Sequence, residues 1–169
     1  MISIELNSSK KIYFCSDNHL GSPSKVSSIE REKKFILWLD EIKSDAQAIF
    51  FLGDLFDFWF EYKKVIPKGF VRLFGKLAEL SDYGIELLFF VGNHDCWVGN
   101  YFQKELGFKV FKKPTDLKID NYNLFIGHGD GLGPGDIKYK FLKIFFRSHF
   151  LKKIFSLIHP DIGVAIGSF

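Results

Sequence analysis

The sequence predicts an α/β fold with a parallel β-sheet that is covered on both faces, and three observations lead to this prediction. Short, nearly continuous apolar runs alternate with segments whose apolar residues recur at helical spacing. Asp, Asn or His follows four of these runs, usually beside glycine. The chain has 169 residues, of which 47% are hydrophobic and 25% charged, as expected for a globular domain with a core.

The first strand and helix are predicted at Lys11–Ser16 and Ile29–Lys43. The strand is short and apolar, and it ends in the polar cluster Ser16-Asp17-Asn18-His19. The helix has an apolar face with the spacing of helical turns, made by Phe35, Ile36, Leu39 and Ile42.

A second strand at Ala48–Leu52 ends in Gly53-Asp54, and a second helix is predicted at Pro67–Asp82. Proline near the start and Gly84 just past the end are typical of helix termini. The apolar face of this helix is made by Phe70, Leu73, Phe74, Leu77 and Leu80.

The third strand, Ile85–Val91, runs into Gly92-Asn93-His94-Asp95. A short helical turn is predicted at Tyr101–Leu106. A hairpin follows, with strands at Thr115–Asp120 and Asn123–Ile126 around Asn121-Tyr122, and it leads into Gly127-His128-Gly129-Asp130.

The polar residues that follow the strands predict a metal site, because ligands of open α/β sheets lie at the carboxyl ends of the strands. Carboxylates, imidazoles and an amide oxygen suit Mn²⁺, Fe²⁺ or Zn²⁺. A carboxylate such as Asp54 can bridge two cations, and two cations can clamp the oxygens of an in-line phosphoryl displacement. The residues expected to converge are Asp17, His19, Asp54, Asn93 and His128.

Simpler interpretations exist for each residue alone. A single Asp or Asn after a strand usually caps a helix or forms a turn, and His128 between glycines can be a turn residue. The set taken together favours metal binding. Asp57 is predicted to support a loop rather than bind metal, and His94 to donate to a phosphoryl oxygen as charge develops there.

Several classes of protein are not favoured by the composition. The net charge of +3 is too small to indicate nucleic-acid binding. Met1–Leu6 does not resemble a secretory signal, and no stretch of about 18 apolar residues predicts a membrane span. Cys15 and Cys96 lack metal-site or disulfide-framework spacing, so a cytoplasmic protein is expected.

The ordered motifs resemble the calcineurin-like metallophosphoesterases. The family pattern D-x-H, G-D-x-x-D, G-N-H-[DE] and G-H-x-D matches DNH at 17–19, GDLFD at 53–57, GNHD at 92–95 and GHGD at 127–130. The resemblance implies a sandwich of mixed sheets flanked by helices, with two divalent metal ions.

A closer resemblance is to the branch of UDP-2,3-diacylglucosamine diphosphatases of lipid A biosynthesis. It is carried by SDNHLG at 16–21, GDLFDFWFEY at 53–62, HGDGLGPGD at 128–136 and His159-Pro160. This resemblance implies Mn²⁺-dependent hydrolysis of the lipid-linked sugar nucleotide to 2,3-diacylglucosamine 1-phosphate and UMP. It also implies a peripheral position on the inner face of the cytoplasmic membrane.

The resemblance also implies residue roles. Asp17 and His19 would hold the first metal, and Asp54 would bridge. The second metal would be held by Asn93 and His128. The catalytic and substrate-binding residues would be Asn93 and His94, joined by Asp136 as a further substrate contact; better-known relatives have Arg in place of His94.

Family members continue to a Gly-His-x-His motif that completes both metals, whereas this sequence ends at Phe169 before any such motif. His149 and His159 are not expected to replace it. We therefore expect an incomplete core at 1–135 that lacks the C-terminal strands and leaves an exposed sheet edge.

A helical cap segment is expected at 136–169, where lysines and one arginine alternate with aromatic and aliphatic residues. One interpretation is an amphipathic helix packed on the sheet with solvated lysines. The resemblance favours a cap that receives acyl chains and adsorbs to an anionic membrane surface.

Three functions stay open. The leading one is a lipid-linked sugar-nucleotide pyrophosphatase, which the aromatic run Phe56–Phe60 and the cap favour. The alternatives are a generic phosphodiesterase acting on a soluble substrate, and an inactive chain without the Gly-His-x-His ligands.

Overall fold

The computed structural model describes residues 2–131 and 148–167, which form two β-sheets and flanking helices. The larger sheet has four strands in the order β2-β3-β4-β5, and each neighbouring pair is parallel. Its strands are β2 at Lys11–Cys15, β3 at Ala46–Phe51, β4 at Glu86–Phe90 and β5 at Lys109–Phe111.

The smaller sheet is mixed. Strand β1, Ile2–Ile4, lies parallel to β6, Thr115–Ile119, and β6 is antiparallel to β7, Tyr122–Ile126. The predicted hairpin is therefore present, but its turn lies one residue earlier than expected. Asp120 takes the turn with a left-handed φ of 49°, a conformation that Asp tolerates better than most residues.

The two sheets pack face to face and share one core cluster. Ala48, Phe50, Leu88 and Phe90 of the larger sheet meet Ile4 and Leu117 of the smaller one. The alternate residues of β3 and β4 point to the opposite face and are buried there with the helices, for example Phe51 and Phe89. The near-continuous apolar runs thus reflect strands covered on both faces, and the predicted α/β sandwich is confirmed.

Five helices lie within the described residues: α1 at Ser28–Ile42, α2 at Val71–Asp82, α3 at Tyr101–Glu105, α4 at His149–Phe155 and α5 at Pro160–Gly167. None of these helices has the length and apolarity that a membrane crossing requires. Helix α1 begins with a capping box, in which Ser27 and Glu30 bind each other's main-chain N–H groups.

The predicted start of the second helix at Pro67 was wrong, because α2 begins at Val71. Gly69 and Phe70 both have left-handed φ angles, 101° and 57°, so the helix cannot extend back through them. Phe70 has no side-chain oxygen to cap the helix. Glu32 of α1 supplies the cap instead, accepting the Leu73 N–H at 3.1 Å.

Candidate metal centre

The loops that follow β2, β3 and β4 meet at the carboxyl edge of the four-stranded sheet and are joined by their main chains. Asp17 N–H donates to the carbonyl of Gly53 at 3.1 Å, and His19 N–H donates to that of Asp54 at 2.9 Å. The His94 N–H donates to Asp54 Oδ1 at 2.9 Å. The polar residues at the strand ends are therefore held in one place, as the parallel sheet predicts.

One group of possible metal ligands is formed by His19, Asp54 and His94, whose ligand atoms lie within 4.8 Å of one another. His19 Nε2 lies 3.7 Å from Asp54 Oδ2 and 3.8 Å from Asp17 Oδ1. Asp54 is only 3% exposed, so its carboxylate faces the other groups of the site and not the solvent.

A second group, Asp17, Asp54 and His128, satisfies the same 4.8 Å limit. His128 Nε2 lies 3.2 Å from Asp54 Oδ2 and 3.1 Å from Asn93 Oδ1. Its other ring nitrogen, Nδ1, hydrogen-bonds the carbonyl of Leu52 at 2.8 Å. That bond places the proton on Nδ1 and turns Nε2 toward the carboxylate, the arrangement by which proteins orient a metal-binding histidine.

These groups fit two divalent cations that share one carboxylate. Ligand atoms about 2.1 Å from an ion and at right angles to each other are separated by about 3.0 Å. The separations of 3.1 and 3.2 Å around His128 agree with this geometry, and those of 3.7 and 3.8 Å around His19 are wider. Asp54 belongs to both groups, and its Oδ2 faces both His19 Nε2 and His128 Nε2, so this one carboxylate can serve two ions.

The charges of the site are strongly coupled. Burial by itself would raise the pKa of Asp54, but hydrogen bonds from His128 and the His94 N–H outweigh it and hold the pKa below its usual value. The same Asp54 carboxylate raises the pKa of His128 to about 9, against an opposing effect of burial. In the absence of metal, the two side chains therefore form an ion pair.

Backbone strain is concentrated at the site. Asp17, His19 and Asp54 have left-handed φ angles of 57°, 43° and 53°, which side chains other than glycine rarely adopt. The turns also need two glycines. A side chain on Gly53 would approach His128 Nδ1 to 2.7 Å, and one on Gly92 would collide with the Asp54 carboxylate.

Sequence reasoning gave no role to Asp95, which is fully buried beside the site. Its carboxylate accepts the Leu55 N–H at 2.9 Å and the Gly92 N–H at 2.7 Å, so it joins the loops after β3 and β4. Burial raises its pKa to about 7. The only sign of this role in the sequence is that Asp95 is the acidic residue at the end of the third motif, Gly92-Asn93-His94-Asp95.

Asp57 was predicted to support a loop, and its contacts are with histidines of the site. Its Oδ1 lies 3.4 Å from His19 Nδ1 and 3.7 Å from His94 Nδ1. The main-chain carbonyl of Asp57 lies 2.6 Å from His94 Nδ1. Asp57 therefore contacts His19 through the ring nitrogen opposite the one that faces Asp54.

The structure thus brings together six of the residues that the sequence analysis singled out: Asp17, His19, Asp54, Asn93, His94 and His128. Asp136 lies outside the described residues. His159 contacts Asp161 and belongs to neither group of possible ligands.

Comparison with known proteins agrees with the site geometry. The family model described as Calcineurin-like phosphoesterase matches residues 10–161. The UDP-2,3-diacylglucosamine hydrolase of Porphyromonas gingivalis is 40% identical over 160 residues, which cover 93% of this chain and 61% of that protein. The proteins of the same name from Proteus mirabilis and Neisseria meningitidis serogroup A are each 31% identical, over 132 and 152 residues.

These two matches cover 78% and 88% of this chain, and 55% and 60% of the relatives. The chain therefore spans somewhat more than half the length of these relatives. The family is one of metal-dependent hydrolases, and the His/Asp groups at the sheet edge are suited to its chemistry. On the match across most of its length, the chain belongs to the calcineurin-like phosphoesterase family.

Proposed function

We propose that this protein hydrolyses the pyrophosphate bond of UDP-2,3-diacylglucosamine, giving UMP and 2,3-diacylglucosamine 1-phosphate. The observation that carries the proposal is the sharing of Asp54 between two groups of possible ligands, because a pair of cations suits phosphoryl displacement. The substrate is inferred from the relatives, which are UDP-2,3-diacylglucosamine hydrolases and one of which is 40% identical to this chain.

We assign the metal ligands as the sequence analysis expected them, with Mn²⁺ as the proposed ion at both positions. Asp17 and His19 hold the first ion, Asp54 bridges, and Asn93 and His128 hold the second. Asp17, which the second group of possible ligands also includes, is assigned to the first ion because its Oδ1 lies 3.8 Å from His19 Nε2. When bound, the ions activate water and neutralise charge on the phosphoryl oxygens. The mixed oxygen and nitrogen donors support Mn²⁺ over an ion that prefers thiolates.

His94 is proposed to contact the phosphoryl group, together with Asn93. The Asp57 carbonyl at 2.6 Å accepts the proton on His94 Nδ1, which leaves Nε2 for the substrate. The side chain of His94 is 39% exposed, so a ligand can reach it. Its ring stands edge-on to that of His19, with the ring centres 4.7 Å apart. His94 itself belongs to the first group of possible ligands, so its ring lies where charge would develop on phosphorus-bound oxygen.

Residues 136–169 are proposed to form a cap over the core, and its described part, α4 and α5, supports a role with lipid. Phe150 and Leu157 are 70% and 82% exposed, and Ile162 and Ile166 are 56% and 57% exposed. Exposed apolar side chains beside lysines are typical of segments that lie on anionic membranes. We infer that this surface adsorbs to the membrane and admits acyl chains.

The test compares a diacyl substrate with a soluble one. Protein loaded with Mn²⁺ is incubated with UDP-2,3-diacylglucosamine or with bis(4-nitrophenyl) phosphate, and products are identified by mass spectrometry. We expect UMP and the diacyl monophosphate, with kcat/KM at least tenfold higher for the diacyl substrate. Asp54→Asn should abolish turnover by removing the shared carboxylate, whereas His159→Gln should retain it.

Two results would contradict the proposal. Preference for the soluble diester would indicate a generic phosphodiesterase. Absence of turnover on both substrates, in a protein that is folded and binds two Mn²⁺ ions by calorimetry, would indicate a chain without this activity.

A further inference from the structure

Helix α1 carries Arg31, whose guanidinium lies against the loop that holds His19. Arg31 Nη1 donates to the main-chain carbonyl of His19 at 3.0 Å, and Nη2 donates to that of Ser22 at 2.6 Å. The two carbonyls belong to one turn, because the Ser22 N–H also donates to the His19 carbonyl, at 3.1 Å. The forked guanidinium therefore bridges both ends of this turn, which suits the fixed donor geometry of arginine.

The main chain at His19 requires such support. Its φ of 43° is left-handed, a conformation that persists only where the surrounding structure fixes it. The His19 carbonyl accepts the Ser22 N–H, the Ser22 hydroxyl at 2.9 Å and Arg31 Nη1. The His19 N–H donates to the carbonyl of Asp54 at 2.9 Å. Hydrogen bonds on both sides of the residue thus set the direction in which the imidazole leaves the main chain.

Arg31 is itself fixed by the helix on which it lies. One and two turns further along α1, Phe35 and Leu39 are buried in the core. A second link between helix and loop is the bond from the Gly21 N–H to Ser28 Oγ, at 2.9 Å. Arg31 Nε is buried and has no hydrogen-bond partner among the described residues, so the bonds of Nη1 and Nη2 set the orientation of the guanidinium.

We propose that Arg31 is a positioning residue for the first metal position. By fixing the turn from His19 to Ser22 on α1, it keeps the His19 imidazole directed at Asp17 and Asp54, which lie 3.8 and 3.7 Å from Nε2. The inference rests on the proposed function, because His19 is assigned there as a ligand of the first ion. Hydrogen bonds outside the ligand set commonly decide how tightly a metal is held.

The second position does not use this turn. His128 follows β7 and is oriented by its bond to the carbonyl of Leu52, and Asn93 follows β4. Loss of Arg31 is therefore expected to act on the first ion, whereas loss of a residue that only stabilises the fold would affect both ions.

The experiment measures Mn²⁺ binding to the full chain by calorimetry, with one metal position removed at a time. His128→Gln leaves the first position, and His19→Gln leaves the second. Arg31→Met, which removes the guanidinium and keeps an unbranched stem, is introduced into each of these variants. Arg31→Lys keeps the charge but lacks the rigid fork. The matched control is Arg72→Met, which removes an exposed arginine from α2.

With the first position alone, we expect Arg31→Met to weaken Mn²⁺ binding about tenfold, as for the loss of a group that orients a metal ligand. Arg31→Lys should weaken it about threefold, because an ammonium group lacks the rigid fork. With the second position alone, and for Arg72→Met at either position, the affinity should stay within about twofold. Circular dichroism shows whether each variant is folded. If Arg31→Met does not fold, Arg31→Lys makes the same comparison.

The sign of the effect separates orientation from charge. Removing a positive charge by itself favours cation binding, so unchanged or tighter binding at the first position in folded Arg31 variants would overturn the inference. Equal weakening at both positions, or an equal effect of Arg72→Met, would overturn it as well. Failure of the proposed function is distinguishable: the diacyl substrate would be left intact while Arg31→Met still weakened the first position selectively.

Discussion

The two sheets differ in how completely they are covered. Strands β3 and β4 of the larger sheet are buried on both faces, and Phe50 and Phe89 are 0% exposed. Strand β7 of the smaller sheet has four exposed residues in succession, with Tyr122 at 73% and Phe125 at 68%. The larger sheet therefore has the core that fixes the site, and the outer strand contributes little to that core.

The site draws on the two sheets unequally. The loops after β2, β3 and β4 supply Asp17, Asp54 and Asn93, whereas β7 leads to His128 alone. His128 is held at the shared edge by its bond to the carbonyl of Leu52, the last residue before Gly53. The first group of ligands thus depends on the larger sheet only, and the second group requires both sheets.

The largest expected effect is on stability. Phe90→Ala removes a ring that is 1% exposed between the sheets, and it should lower the free energy of unfolding by about 3–5 kcal/mol. Phe125→Ala, at an exposed position of β7, should change it by less than about 0.5 kcal/mol. Urea unfolding followed by circular dichroism measures both. Similar losses in the two variants would show that the outer strand is as firmly packed as the core.

The next largest effect is expected at Asp95, whose carboxylate joins the loops after β3 and β4. Asp95→Asn keeps the side-chain volume but places an NH₂ group against the N–H of either Leu55 or Gly92, which then loses its acceptor. We expect the free energy of unfolding to fall by about 2 kcal/mol. Because Asp95 joins the loops that carry Asp54 and Asn93, the change should also weaken metal binding. Asp116→Asn, at an exposed position of β6, is the matched control. Equal free energies of unfolding in the two variants would contradict this role of Asp95.

A pH effect is expected where the smaller sheet meets the site. The raised pKa of His128, about 9, means that its charge stabilises the metal-free fold fully below pH 6.5, and that this stabilisation is lost as pH rises through about 9. Metal must displace this proton, so affinity at the second position should rise about tenfold per pH unit between pH 7 and 9.

Calorimetry in buffers of different ionisation enthalpy measures the protons released by metal binding. About one proton should be released at pH 7.5, and none in His128→Gln, whose side chain cannot carry the proton. Release that is unchanged in the variant would place the titrating group elsewhere.

The smallest effect compares two exposed apolar surfaces. One surface is made by the exposed apolar residues of α4 and α5, such as Phe150 and Leu157, and has Lys152 and Lys153 nearby in the sequence. The other is the exposed face of β7, which includes Tyr122. Leu157→Glu should reduce co-sedimentation with phosphatidylglycerol vesicles about threefold at low salt, because it adds negative charge to the proposed membrane surface. Tyr122→Glu should leave it unchanged. Equal losses would indicate that charge alone governs adsorption.

Much of this arrangement could be predicted because its signals are local. Apolar runs located β3 and β4, and the polar residues after them located the edge where Asp54 and Asn93 lie. Strands β1 and β5 were missed, since each has only three residues. The split into two sheets came from the family resemblance and not from the pattern of residues.

Other features depend on contacts between distant segments. The start of α2 is set by Gly69 and Phe70 and by a cap from Glu32 of another helix, which no local pattern reveals. The role of Asp95 depends on main-chain N–H groups of two loops. Asp57 was predicted to support a loop, and its contacts with His19 and His94 could be seen only in the folded chain.

The left-handed backbone at Asp17, His19 and Asp54 has a consequence for how this protein can change. Glycine adopts that conformation at no steric cost, so replacing any of these residues by glycine would relieve strain of the order of 1 kcal/mol while removing a proposed ligand. Selection for thermal stability alone would therefore favour loss of the metal centre. The strain at these three positions is therefore a stability cost of the proposed metal centre.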